Sequence, residues 1–146
     1  MNIRLASVNE SDILLDIWLR SVRVTHAFLS NEDVQFILPL VRDGVLKHFE
    51  VWVLVSDDED AMGFMGLSGN KVESIFLAPE HFRRGGGRLL IEYARALKGR
   101  LLVDVYEENL SARSFYESVG FVVDHRSERD SFGWSFPILH MRERSL

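Results

Sequence analysis

Residues 79–88 read Pro79-Glu80-His81-Phe82-Arg83-Arg84-Gly85-Gly86-Gly87-Arg88. Glycines in series let a backbone approach a ligand closely, with successive N–H groups turned outward. A helix that opens at the glycines adds the partial positive charge of its N-terminus. Arg83, Arg84 and Arg88 add full charges. Together these groups make a cradle for a pyrophosphate. The pattern is not the P-loop G-x-x-x-x-G-K-[ST]. It also fails the dinucleotide pattern G-x-G-x-x-G, because Leu90 holds the third glycine position. The glycines alone leave a plain strand-to-helix turn open as the alternative.

The elements on either side must aim this loop. Residues 3–8 alternate and predict a strand. Asn9 or Ser11 caps a helix whose apolar face carries Ile13, Leu14, Ile17, Trp18 and Val22. A second helical stretch, residues 31–49, contains Pro39 and should kink or split there. Residues 51–55, 62–68 and 72–77 predict strands, with Gly69-Asn70 as a hairpin signal and Pro79 closing the third. Gly85-Gly86-Gly87 opens a helix with Leu89, Leu90, Tyr93, Ala94 and Leu97 on one face, and Gly99 stops it. A strand over 101–106 follows, then a short helix capped by Asn109 or Ser111 and ended by Gly120. Residues 121–124 and 134–141 predict the last strands, joined by a polar loop and interrupted by Pro137. The order is β-αα-βββ-α-β-α-ββ, an α/β sandwich with a mixed sheet.

The chain has 146 residues, which fits one domain over 1–146, and no cysteine. A disulfide framework, a thiolate zinc site and a Cys nucleophile are thereby excluded. The histidines show no metal spacing, so no metal is expected. A net charge of −5 argues against broad nucleic-acid binding, which needs phosphate neutralisation. The start carries no signal-peptide apolar run, and no apolar run approaches the ~20 residues of a membrane span. The expectation is a soluble, cytoplasmic protein, without membrane or nucleic-acid partners. It holds a small polyanion, and its acidic remainder favours a cationic acceptor.

The loop resembles the acetyl-CoA loop of the GNAT superfamily of N-acetyltransferases. That family's Arg/Gln-x-x-Gly-x-Gly/Ala pattern falls on Phe82-Arg83-Arg84-Gly85-Gly86-Gly87, after Leu77-Ala78-Pro79. Phe82 stands where Arg or Gln is usual. Asp104-Val105-Tyr106-Glu107-Glu108-Asn109 and Ser114-Phe115-Tyr116-Glu117-Ser118-Val119-Gly120-Phe121 resemble the family's later strand–helix–strand unit. Thr25-His26-x-Phe28-Leu29 resembles a stretch in small stand-alone bacterial members.

The resemblance implies a mixed, mostly antiparallel sheet flanked by helices, with strands splayed at the cofactor site. It implies transfer of an acetyl group from acetyl-CoA, as co-substrate, to a primary amine on a small molecule, a protein lysine or an N-terminus. Attack would be direct, in a ternary complex. Ile75, Phe76 and Leu77 would line the pantetheine arm, and a bulge there would aim a backbone N–H, assigned to Phe76, at the thioester oxygen. Residues 82–87 would hold the pyrophosphate, with Arg88 reaching a phosphate. Asn109 would touch the cofactor or cap its helix. Tyr116 would be the general acid. Asp104 would be the base, a relay or a contact for a cationic acceptor. His26 is the other candidate base. His26, Phe28 and Trp134 would line the acceptor site, beside Phe132 and Glu128. A monomer and a homodimer both remain open, as do a CoA-binding module without catalysis and a protein-interaction domain.

Overall fold

The computed structural model describes residues 1–144. Its strands are β1 (Asn2–Leu5), β2 (Glu50–Val55), β3 (Ala61–Ser68), β4 (Lys71–Leu77), β5 (Leu102–Tyr106), β6 (Phe121–Ser127) and β7 (Ile138–Glu143). Its helices are α1 (Ser11–Thr25), α2 (Asn31–Leu40), α3 (Leu46–His48), α4 (Gly86–Lys98) and α5 (Leu110–Ser118). One seven-stranded sheet runs in the order β1-β2-β3-β4-β5-β7-β6. Every neighbouring pair is antiparallel except β4–β5, which is parallel.

The expected element order is found, with local differences: the first strand, expected over 3–8, ends at Leu5, and Val8–Glu10 form a 3-10 turn capped by Ser7. The last strand starts only after Pro137, and β6 runs on to Ser127. Asp130 organises the segment between them. Its carboxylate accepts the N–H groups of Phe132 (3.0 Å) and Trp134 (2.9 Å) and the Tyr106 hydroxyl (2.9 Å). Such a side-chain-to-backbone clamp replaces ladder bonds that Pro137 is unable to donate. Farther back, α2 contains Pro39 and gives way to a π-helical turn, Val41–Val45, before α3. The ring removes one i→i−4 bond, and the Val41 N–H is shared between Ile37 and Leu38 carbonyls.

Helices cover both faces of the sheet. Alternation along the strands divides their side chains between the two layers. Leu54, Met65, Leu67, Val103, Leu139 and Met141 meet Leu90, Ile91 and Ala94 of α4, Tyr116 of α5 and Val119 just past it. Val51, Val53, Val55 and Phe64 meet Leu14, Ile17, Trp18 and Val22 of α1 and Val34 of α2. Each fully buried aliphatic side chain contributes roughly 1.5–3 kcal/mol to holding these layers together. No helix among the described residues is long and apolar enough to cross a membrane.

The sheet opens in its middle. β4 and β5 pair only at Lys71↔Leu102 and Val72↔Val103, near their N-terminal ends. On its other side β4 pairs Val72 with Leu67 and Ser74 with Gly66, so Glu73 is an extra, bulged residue. A bulge bends its strand and increases the local twist, here where β4 parts from β5. Close approach of β3 to the bent strand requires Gly63. A Cβ there would lie 2.4 Å from Leu77 Cδ2 and 2.6 Å from the Phe76 carbonyl oxygen.

Candidate active site

The opening between β4 and β5 continues into a cleft of about 940 Å³. Ile75, Phe76 and Leu77 form one wall, the segment from Phe82 to Arg88 its floor, and Asn109 to Ser118 of the α5 region the other wall. Thr25 and His26, at the end of α1, close one end.

The loop has the conformation of an anion nest. Arg83 and Gly85 have positive φ, 61° and 86°, and Gly85 is the N-cap of α4. Alternating helical hands turn consecutive N–H groups toward one point. From Arg83 to Arg88 no backbone N–H has an acceptor among the described residues. The first to find one is Leu89, bonded to the Gly85 carbonyl at 3.1 Å. Arg83, Arg84 and Arg88 make no ion pair with a described residue, although Arg84 is not in the cleft lining. A diphosphate fits this set of unused donors and unpaired cations. Gly87 has a separate role, since a Cβ there would sit 3.0 Å from Phe115 Cζ on α5. It lets the two helices approach.

On the strand wall, Ala78 donates its N–H to the Met62 carbonyl at 2.9 Å. Backbone groups of alternate residues face the same neighbour. The Phe76 N–H therefore turns to β3, whereas those of Ile75 and Leu77 turn into the opening. The Phe76 N–H, expected to face the opening, thus faces β3, and the Phe76 ring, packed on Trp18, Phe64 and His26, lines the cleft.

On the helical wall, Asn109 is both cap and lining. Its Oδ1 accepts the Ala112 N–H at 3.2 Å, which leaves Nδ2 for a ligand. Tyr116 is 5% exposed and packs its ring on Phe115 and Phe121. Its hydroxyl has no hydrogen-bond partner among the described residues and is not sealed from the cleft. Burial pushes the phenol's pKa up, so it keeps its proton at neutral pH.

The residues expected around an acceptor divide. His26 lines the cleft, boxed by the rings of Phe28, Phe76 and Tyr106, and burial lowers its pKa to about 4. Phe28 touches His26, Tyr106 and Phe136 one layer behind. Trp134 sits farther out, against Phe36, Phe132 and Phe136. Asp104 is not brought into the cleft. Its carboxylate binds Lys71 Nζ and His140 Nδ1, both at 2.8 Å, and His140 Nε2 meets Ser127 Oγ at 2.7 Å. Burial raises its pKa, but Lys71 and His140 outweigh that and hold the carboxyl below its ordinary range. An acid so committed, in a separate hollow beside His125 and Arg142, is not placed to take a proton in the cleft.

Sequence reading gave no site role to Ser21 and Thr25, which line the cleft beside His26, or to Phe115, which sets the spacing of α4 and α5, although Thr25 and Phe115 stand in the motifs quoted above. Thr25 precedes His26 directly, so adjacency was the available signal.

Residues 47–123 match the acetyltransferase (GNAT) domain family. The chain belongs to the GNAT family. It is 38% identical over 141 residues to the peptidyl-lysine N-acetyltransferase YjaB of Salmonella typhimurium, covering 97% of each chain. Among solved structures, apo YjaB from Escherichia coli superposes with a TM-score of 0.91 at 37% identity, over 99% of this chain and 98% of that one. The PaiA N-acetyltransferase of Thermoplasma acidophilum in complex with coenzyme A superposes with a TM-score of 0.78 over 99% and 100%; at 20% identity it speaks for the GNAT fold alone.

Proposed function

We propose that this GNAT protein transfers the acetyl group of acetyl-CoA to a primary amine, with a lysine side chain of a peptide as the acceptor class named for its relatives. The observation that carries the reading is the run of acceptor-less N–H groups from Arg83 to Arg88. They open onto the same cleft as the free edge of β4 and the Tyr116 phenol.

Acetyl-CoA, when bound, supplies an activated thioester. The loop amides and Arg83 and Arg88 hold its diphosphate, and the Ile75 and Leu77 backbone groups hold its pantetheine amides in place of the missing β5 partner. The Ile75 or Leu77 N–H faces the thioester oxygen and stabilises the negative charge that develops there. As the amine nitrogen bonds to the acyl carbon, the carbon–sulfur bond breaks and its electron pair goes to sulfur. The Tyr116 Oη proton moves to that sulfur, and the one proton that the acylated amine nitrogen sheds passes through water to restore the phenol. A phenol held protonated by burial is a weak acid, so it acts only once thiolate charge has developed. No side chain of the cleft need become a covalent carrier.

The test is a thermal-shift titration with acetyl-CoA on wild type, Gly85→Glu and Tyr116→Phe. The expected result is a saturable rise in wild type and Tyr116→Phe that Gly85→Glu loses while remaining folded. Release of CoA should then require an added amine. A folded wild type with no rise overturns the reading.

A further inference from the structure

The end of α1 carries a hydrogen-bond chain not needed for helix formation. Thr25 Oγ1 donates to the Ser21 carbonyl at 2.9 Å, one turn back. The same oxygen lies 2.7 Å from His26 Nδ1. A hydroxyl has one proton. With that proton committed to Ser21, the contact to His26 is satisfied only if Nδ1 carries hydrogen and Thr25 accepts it. The neutral ring then has its lone pair on Nε2. That atom has no protein partner among the described residues, yet is not sealed off, and His26 lines the cleft.

We propose that Thr25 is a positioning residue that fixes His26 as the Nδ1–H tautomer, so that Nε2 accepts an N–H of the incoming neutral amine and turns the nitrogen lone pair toward the acyl carbon. The inference rests on the acetyltransferase reading and names the group that orients its acceptor. The aromatic walls of Phe28, Phe76 and Tyr106 hold the ring in place. His26 is correspondingly an orienting acceptor and not a proton store: burial lowers its pKa to about 4, far below an ammonium at ~10.4. The surplus ammonium proton therefore leaves to water before the amine docks. The opposite tautomer would donate its Nε2–H to the amine lone pair and occupy the electrons needed for attack.

The experiment compares wild type with Thr25→Val, which keeps the shape and loses the hydroxyl, and Thr25→Ser, which restores it. Nitrogen-15 spectra of the His26 ring read the tautomer directly, and turnover is measured with acetyl-CoA and an Nα-blocked lysine. The expected result is Nδ1–H in wild type and Thr25→Ser, and a shift toward Nε2–H in Thr25→Val. The valine variant should lose ~10–100-fold in kcat/KM for the amine, with acetyl-CoA affinity unchanged. Retention of Nδ1–H or of full turnover in Thr25→Val overturns the assignment of Thr25 while leaving the acetyltransferase reading intact. A wild type that binds no acetyl-CoA and acetylates no amine overturns both.

Discussion

The Arg95 guanidinium and the Glu143 carboxylate meet at 2.5 Å, joining α4 to the end of β7. Glu143 is only 8% exposed, and its second oxygen accepts the Leu101 N–H at 2.9 Å. Arg95 also donates to the Val119 carbonyl at 2.9 Å, just past α5. One pair thus pins the helix behind the phosphate loop to both neighbouring elements. Glu143→Ala strands a buried N–H and leaves Arg95 with one acceptor fewer. Stability should fall by ~1–3 kcal/mol, read as a lower urea midpoint with unchanged slope.

Tyr116→Phe removes a hydroxyl with no partner among the described residues and keeps the ring against Phe115 and Phe121. Its melting temperature and acetyl-CoA affinity should match wild type, whereas kcat should fall ~10²–10⁴-fold. Steady-state kinetics with calorimetry separates the two. Unchanged turnover would remove Tyr116 from the proton path.

At Gly63 the obstacle to a larger residue is backbone. Gly63→Ala would force a Cβ onto the Phe76 carbonyl. Overpacking of this kind costs ~1–3 kcal/mol, and relief would come by shifting β4 at Ile75 and Leu77. Weaker acetyl-CoA binding should accompany the lost stability. An equal loss from a distant core site, without effect on binding, would be the matched control.

Acid should destabilise the fold in two windows. His26 has its pKa lowered from 6.5 to about 4, so the unfolded chain takes this proton first. Its contribution is whole above 6.5 and is lost as pH falls through about 4. Glu10, hydrogen-bonded to Arg4 at 2.7 Å, has its pKa lowered from 4.5 to about 2. Its contribution is whole above 4.5 and is lost as pH falls through about 2. Urea titrations across pH should show the upper slope vanish in His26→Gln and the lower one shrink in Arg4→Gln, where the Ser7 hydrogen bonds to Glu10 remain. The kcat/KM profile should have no inflection near the ordinary histidine value from His26.

What the sequence disclosed follows from how each signal is written. Gly85-Gly86-Gly87, Asn109 and Tyr116 are set by local chain chemistry, and each stands in the cleft. Asp104 depended on which residues the sheet brings beside it, and Phe76 on which side of a strand a backbone group faces. That parity follows pairing, and a one-residue change inverts it. The bulge at Glu73 is such a change, and nothing in residues 72–77 marks it. Asp104 shares its strand face with Tyr106, yet near its end of the sheet stand Lys71 and His140, far from it in sequence. The 134–137 segment is included in the last predicted strand, with Pro137 as an interruption. Its backbone is instead ordered by Asp130, a polar residue buried for that purpose.

The sparse junction of β4 with β5 also has a mechanical consequence. Two residue pairs join them, against five along β5–β7. Pulled across the strands, the sheet would tear there first, as a zipper opens from its unfastened end. The amide protons of Ile75 and Leu77 should therefore exchange with heavy water sooner than those of β3. A molecule lying along that seam would stitch it, and slower exchange at those two amides would report the stitch without any chemistry taking place.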